Sequence, residues 1–210
     1  MKYIFVAGAP GSKWSSVVKN IYYSPSIDRS DYRDEWTYYH DASGKMELMH
    51  LGAYFDPGMI SPLPEDLTTL NRQQLEEIFA SPFQSKEAQG IRIIKSHCFS
   101  NHIDYLRKLF PGTPIVLVHR GDDACLGWWV KCGHFNITYP DYHEYFKDLK
   151  TMANIIKQQN TNIKDAWSKY LGYNDVKTNK ELAAFLKLEM PPAEYEQNYI
   201  ASDIKVKVLV

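Results

Sequence analysis

The chain has 210 residues, 44% of them hydrophobic and 23% charged, with a formal net charge of -1, enough length for one domain with a real core. Neither acid nor base dominates, so the charge gives no basis for binding duplex DNA or an anionic membrane surface. The three cysteines, Cys98, Cys125 and Cys132, form no CxxC pair, which argues against a disulfide framework or a four-cysteine zinc site and favours a reducing compartment.

Ile4-Phe5-Val6 is a short apolar run of the kind a buried strand requires. It is too short for a signal peptide and breaks into Gly8, Pro10 and Gly11. No stretch approaches the roughly 20 apolar residues that span a bilayer, so a soluble, cytoplasmic protein is expected. After the turn at residues 8–12, Val17, Val18, Ile21 and Tyr22 recur at helical spacing, with Ser15 or Ser16 available near the helix start. Residues 24–68 carry turn signals at Ser24-Pro25, Asp56-Pro57-Gly58 and Ser61-Pro62, with a strand near residues 47–51. Residues 71–79 read as a helix with Leu75, Ile78 and Phe79 on one face.

Residues 91–94 are a second buried-strand candidate. Ser100 and Asn101 then offer caps for a helix that turns Ile103, Leu106, Leu109 and Phe110 inward and stops at Pro111-Gly112. Residues 115–118 form the clearest strand. Helical patterns follow at residues 142–156, 163–171 and 178–188, the last behind a Thr178/Glu181 capping box. Residues 204–210 alternate as a late edge strand would. The fold class predicted is α/β, a single domain over residues 1–210 with a parallel sheet flanked by helices. In such sheets ligands collect beyond the carboxyl ends of the strands.

Three strand ends carry chemistry. After the first strand, Pro10, Gly11, Ser12, Lys13, Trp14, Ser15 and Ser16 form a glycine-bearing turn into a helix start, where backbone N–H groups and a partial positive charge suit a phosphate. The Walker pattern is incomplete there: the spacing is one residue short, and Trp14 follows the lysine where Ser or Thr is needed. After the second strand, Lys95 and His97 are two residues apart and point to one side; a cation beside an imidazole suits transfer of an anionic group with removal of a proton. After the third, Arg120 is placed for a fork of hydrogen bonds to phosphate, or for a salt bridge to Asp122 or Asp123. Cys132 with His134, and His97 with Cys98 and His102, lack zinc spacing, and no metal is expected.

In this order the residues resemble the sulfotransferase superfamily that uses 3′-phosphoadenosine 5′-phosphosulfate (PAPS). Residues 92–97, Arg-Ile-Ile-Lys-Ser-His, look like that family's strand ending in Lys-Thr-His. The resemblance implies that His97 is the catalytic base and that Lys95 contacts the transferring sulfuryl group. The loop from Pro10 to Ser16 resembles the 5′-phosphosulfate loop, with Gly11 where the family has a basic residue and Lys13 two positions later. Residues 115–129 look like the 3′-phosphate strand and helix; Arg120 matches, and Gly127 falls where a serine is usual. Residues 182–188 with Pro191 are similar to the family's late Leu-x-x-Phe-Leu helix.

The resemblance implies a P-loop-like sulfotransferase fold, PAPS as co-substrate without a metal, and a small-molecule or carbohydrate acceptor. Lys13 and Lys95 would together offset charge at the reacting centre. Tyr22, Tyr23, Tyr32, Trp36, Tyr38, Tyr39, Tyr54, Trp128 and Trp129 are candidates for the acceptor's walls. Two alternatives stay open: a nucleotide-binding protein of the same ancestry without catalysis, to which Gly11 and Gly127 point, and a magnesium-dependent nucleotide kinase-like phosphotransferase, against which Trp14 argues.

Overall fold

Alternation along three apolar strands decides where the core lies. In β1 (Tyr3–Gly8), every residue is buried. Tyr3, Phe5 and Ala7 face one hydrophobic cluster, and Ile4 and Val6 the other. β5 (Arg92–Lys95) and β6 (Ile115–Arg120) repeat the division, with Ile94, Ile115 and Leu117 on the first side and Ile93, Val116 and Val118 on the second. This is the signature of a sheet covered on both faces. The computed structural model describes residues 2–31, 39–40, 47–48, 51–57, 63–131, 146–170 and 175–210.

The sheet has five strands in the order β4-β5-β1-β6-β7, where β4 is Ala53–Tyr54 and β7 is Ile204–Leu209. β4, β5, β1 and β6 run parallel, and β7 pairs antiparallel with β6 from Ile115↔Leu209 to Arg120↔Ile204. The sheet is thus mixed, whereas the sequence pointed to a parallel one with a late edge strand. A two-stranded antiparallel ladder pairs β2 (Tyr39–His40) with β3 (Glu47–Leu48), within the stretch where a strand was expected.

Helix α1 (Trp14–Tyr22) packs Val17, Val18 and Ile21 on one face of the sheet. α2 (Arg72–Ala80) and α3 (Ile103–Leu109) put Leu75, Phe79, Ile103 and Leu106 on the other, where Phe79 and Phe5 meet at 5.6 Å. α4 (Asp122–Lys131) buries Cys125 and Trp129, and α6 (Asn179–Phe185) buries Leu182 and Ala183 behind the expected Thr178/Glu181 capping box. α2 has a capping box of its own, Asn71 with Gln74.

Several helix boundaries differ from expectation. α1 starts at Trp14 behind Lys13, which takes the left-handed conformation (φ 60°), so neither Ser15 nor Ser16 is its cap. A short 3-10 turn, His97–Asn101, fills the space before α3, and Ser100 spends its hydroxyl on the His97 carbonyl (2.6 Å) instead of capping the helix. The patterns at 142–156 and 163–171 meet in one helix, α5 (Leu149–Tyr170); residues 132–145 and 171–174 lie outside the described residues. The first half of α5 joins one core cluster through Met152 and Ile156, and the second half joins the other through Ile163 and Trp167. Between them Asn160 donates to the Arg120 carbonyl (2.8 Å), so α5 crosses the carboxyl end of β6. Among the described residues, no helix is long and apolar enough to cross a membrane.

Candidate functional site

The strand order places the carboxyl ends of β5 and β6 on either side of the carboxyl end of β1. Lys95 ends β5, and His97 follows in the next turn. Both are buried: the lysine has no exposure and the histidine 6%. Trp14, the first residue of α1, stacks on the His97 ring at 3.9 Å and 11°. Lys95 Nζ lies 5.6 Å from the Trp14 ring and 5.9 Å from that of Tyr54. Its ammonium group makes no hydrogen bond. Burial lowers the Lys95 pKa to about 7, with the Asp31 carboxylate working in the opposite direction. The Asp31 pKa is raised by its own burial to about 6.

His97 is held by its ring and by its backbone. Its Nδ1 bonds the Gly8 carbonyl oxygen. A carbonyl only accepts, so the proton is on Nδ1 and the lone pair is on Nε2, the tautomer a general base needs. Burial lowers the His97 pKa, against the nearby Asp56 charge and the Gly8 bond, which raise it. Asp56 Oδ2 is 3.7 Å from Nε2. That carboxylate is anchored by Tyr54 Oη (2.6 Å) on one oxygen, and by Ser96 Oγ and the His97 N–H (both 2.9 Å) on the other. An anchored anion beside Nε2 stabilises the imidazolium formed when His97 takes a proton.

The β1 loop is wedged between helices. Gly11 has φ +78°, and a Cβ there would stand 2.0 Å from the Cys125 carbonyl oxygen of α4. The basic residue usual in the resembled loop therefore has no room at this position. Ser12 is fully buried; its N–H bonds the Ala9 carbonyl (3.0 Å), and its Oγ has no partner. Pro10 is buried, while Ser15 and Ser16 are partly exposed on the first turn of α1. The N-terminus of α1 carries no side-chain cap and no acidic residue in its first turn; the Ser16 N–H bonds the Lys13 carbonyl (3.0 Å), and the Trp14 and Ser15 N–H groups and the dipole are left to an anion.

Lys13 goes to the opposite side of the loop from Lys95. Its Nζ lies over Trp128 at 4.4 Å, with Arg120 Cζ 6.0 Å and Lys131 Nζ 5.7 Å from the same ring. Arg120 donates from Nε to Asp203 Oδ2 (2.6 Å) and from Nη1 to the Gly11 (3.2 Å) and Ala124 (3.0 Å) carbonyls. Its ionic partner is thus Asp203, just before β7, and not Asp122 or Asp123. Hydrogen bonding from Arg120 lowers the Asp203 pKa.

The predicted residues accordingly fall into two groups along one edge. Lys95 and His97 lie beneath Trp14, Lys13 and Arg120 gather around Trp128, and the loop from Pro10 to Ser12 runs between them. The expected pairing of Lys13 with Lys95 is not seen. Asp31, Asp56 and Asp203 were not singled out by the sequence as partners; Asp56 was readable only as a turn residue, because β4 ahead of it is two residues long. Among the aromatic candidates, Tyr32, Trp36 and Tyr38 and the side chain of Tyr39 lie outside the described residues, as do Cys132 and His134. Among the described residues, no three His, Cys, Asp or Glu side chains are grouped to hold a metal ion. Compared with known proteins, the chain matches no family model, no curated sequence and no solved structure.

Proposed function

We propose that this edge binds PAPS and that the protein transfers its sulfuryl group to a hydroxyl of a small-molecule or carbohydrate acceptor. The adjacency of β5, β1 and β6 carries the reading, because it lines up Lys95 and His97, the uncapped start of α1, and Arg120. The helix start suits the 5′-phosphosulfate. Arg120 and Lys13 suit the 3′-phosphate, which would compete with the half-exposed Asp203 carboxylate for the guanidinium. Lys95 is the cation at the sulfuryl end, and Trp14 has to leave the His97 ring for substrates to reach it.

In the reaction, the acceptor oxygen attacks sulfur in line and the bond from sulfur to the nucleotide phosphate oxygen breaks. The acceptor's proton passes to His97 Nε2, and Asp56 stabilises the resulting imidazolium. Lys95 and the α1 N–H groups offset charge on the sulfuryl oxygens and on the leaving phosphate. Loss of the base lowers the rate by about 10²- to 10⁴-fold.

A second reading, nucleotide binding without transfer, is favoured by Gly11, whose packing excludes the loop cation. Calorimetric titration with 3′-phosphoadenosine 5′-phosphate, against AMP and ATP and with and without magnesium, tests both. Metal-independent binding that needs the 3′-phosphate and weakens in Arg120→Ala supports the site. Turnover of PAPS that is lost in His97→Ala then separates transfer from binding alone. Absence of binding, or preference for ATP with magnesium, overturns the reading in favour of a plain structural loop or a kinase-like protein.

A further inference from the structure

A second concavity lies away from the Trp14 and Trp128 groups, between α3 and α5. It has a volume of about 930 Å³, the size of a site for a drug-sized ligand. One wall is a ladder of carboxamides: Asn154, Gln158 and Asn162 follow one another at four-residue steps on α5, all lining the groove. Gln159 lines it too. Its side chain is 1% exposed, and its Oε1 has no hydrogen-bond partner. A buried amide oxygen without a donor is destabilising and calls for a ligand or water to satisfy it.

The walls are pinned together. Asn162 donates to Asn101 across the groove (2.8 Å), and Lys169 and Tyr170 both bond Asp104. With Asp104 paired to Lys169, the unpaired lining charges are the carboxylates of Glu65 and Asp165, which repel an anionic ligand. The apolar lining is Ile103, Ile155 and Ala166, with Ile103 and Ala166 nearly buried. Such a wall offers little apolar surface for a peptide helix, and its lining residues belong to no strand that an extended peptide could join. Carboxamides offer a donor and an acceptor side by side, matching the adjacent hydroxyls of a sugar, and Tyr105 and Tyr170 supply ring surface at the rim.

We infer that the α3–α5 groove is a binding site for a neutral oligosaccharide, separate from the nucleotide edge. The two are neighbours: Ser100 lines the groove and donates to the His97 carbonyl, while Asn160, beside Gln159, holds the Arg120 carbonyl. The experiment is an amide-shift titration of the labelled full chain with maltotriose, cellotriose and tri-N-acetylchitotriose, and with a sulfated trisaccharide. Saturable binding of at least one neutral sugar is expected, with shifts clustered at residues 100–105 and 154–169. Affinity should fall about tenfold in the surface double variant Asn154→Ala/Gln158→Ala, as the loss of two ordinary hydrogen bonds implies. Gln159→Leu should lose binding altogether. No binding of any of the three, shifts centred elsewhere, undiminished affinity in the double variant, or equal affinity for the sulfated sugar would each overturn the inference. The double variant should bind 3′-phosphoadenosine 5′-phosphate unchanged, so failure of the sugar site and failure of the nucleotide site are read independently.

Discussion

Substituting Gly11 tests the packing of the β1 loop directly. A Cβ at this position meets the Cys125 carbonyl oxygen at 2.0 Å, its carbon at 2.7 Å and its Cα at 3.0 Å. These are backbone atoms of α4 and cannot turn aside as a side chain would. Restoring an ordinary carbon–oxygen contact requires the helix to retreat by roughly 1.5 Å. The first turn of α4 is held in place by the Arg120 bond to the Ala124 carbonyl and by the fully buried Cys125. Overpacking of this kind costs about 1–3 kcal/mol, and the left-handed backbone adds about 1–2 kcal/mol for any side chain. Gly11→Ala should therefore lose about 2–5 kcal/mol, a fall of roughly 5–20 °C in Tm for a chain of this size. Calorimetric melting of Gly11→Ala and Gly11→Lys is the assay, with Gly127→Ser as the control. Nothing lies within 4 Å of a Cβ at Gly127, so the control should melt within a few degrees of the native chain. A Gly11→Ala protein melting within about 2 °C of native would refute the wedge. Gain of activity in Gly11→Lys would show that the loop accommodates the cation the resembled family carries.

Three further outcomes are expected. Lys95→Met should stabilise the protein by about 1–3 kcal/mol in urea titrations, since it replaces a buried amine that makes no hydrogen bond by an apolar chain of similar length; a net loss of stability would mean that the attraction of the Asp31 carboxylate outweighs the burial of the amine. Because the Lys95 pKa is lowered to about 7, the unfolded chain binds the extra proton above that pH, so native stability rises from pH 7 towards 10.5; the Met variant should lack this rise, and parallel curves would contradict it. Asp28→Ala leaves the fully buried Arg92 without its 3.0 Å ion pair, keeping carbonyl partners at Ser85, Lys86 and Glu87 and the Phe83 ring, and should cost about 3–5 kcal/mol; a loss under about 1 kcal/mol would place the pair among surface-like bridges. His119 has its pKa lowered to about 4 by burial and then by the Lys164 charge, so its contribution to stability is lost as the pH falls from 6.5 to 4; His119→Phe should flatten that part of the Tm-versus-pH curve, and an unchanged slope would assign acid sensitivity to other groups.

β1 and β6 were readable because each carries an unbroken apolar run buried on both faces, and β5 because Ile91, Ile93 and Ile94 keep a short apolar run around Arg92. β4 was not, since two residues carry no periodicity and its pairing of Ala53 with Ile94 is set by the neighbouring strand. The break between the two halves of α5 was misread for a related reason. Residues 157–162, Lys-Gln-Gln-Asn-Thr-Asn, show no apolar stripe, yet contain no Gly or Pro to end a helix. They are polar because the helix there passes over the end of β6, where Asn160 satisfies a strand carbonyl. At the site, Lys95, His97 and Arg120 were legible as residues just beyond strands. Their counter-charges were not: Asp31, Asp56 and Asp203 reach them from loops distant in sequence, and only the fold brings them near. The direction of Lys13 was equally hidden, because it depends on a left-handed backbone at that residue and on the Trp128 ring.

The antiparallel strand β7 has a consequence for how the protein comes off the ribosome. The outer edge of β6 stays unpaired until residues 204–209 exist, and the 83 residues 121–203 separate the end of one strand from the start of the other. At cellular synthesis speeds that gap corresponds to an interval on the order of ten seconds. During it, the unpaired edge of β6 presents its N–H and C=O groups to solvent or to another nascent copy. Asp203 arrives with the same segment, so Arg120 acquires its counter-ion and β6 its neighbour in one step. A chain arrested before Ile204 should therefore be caught by chaperones or in self-aggregates, while one extended past Leu209 escapes both.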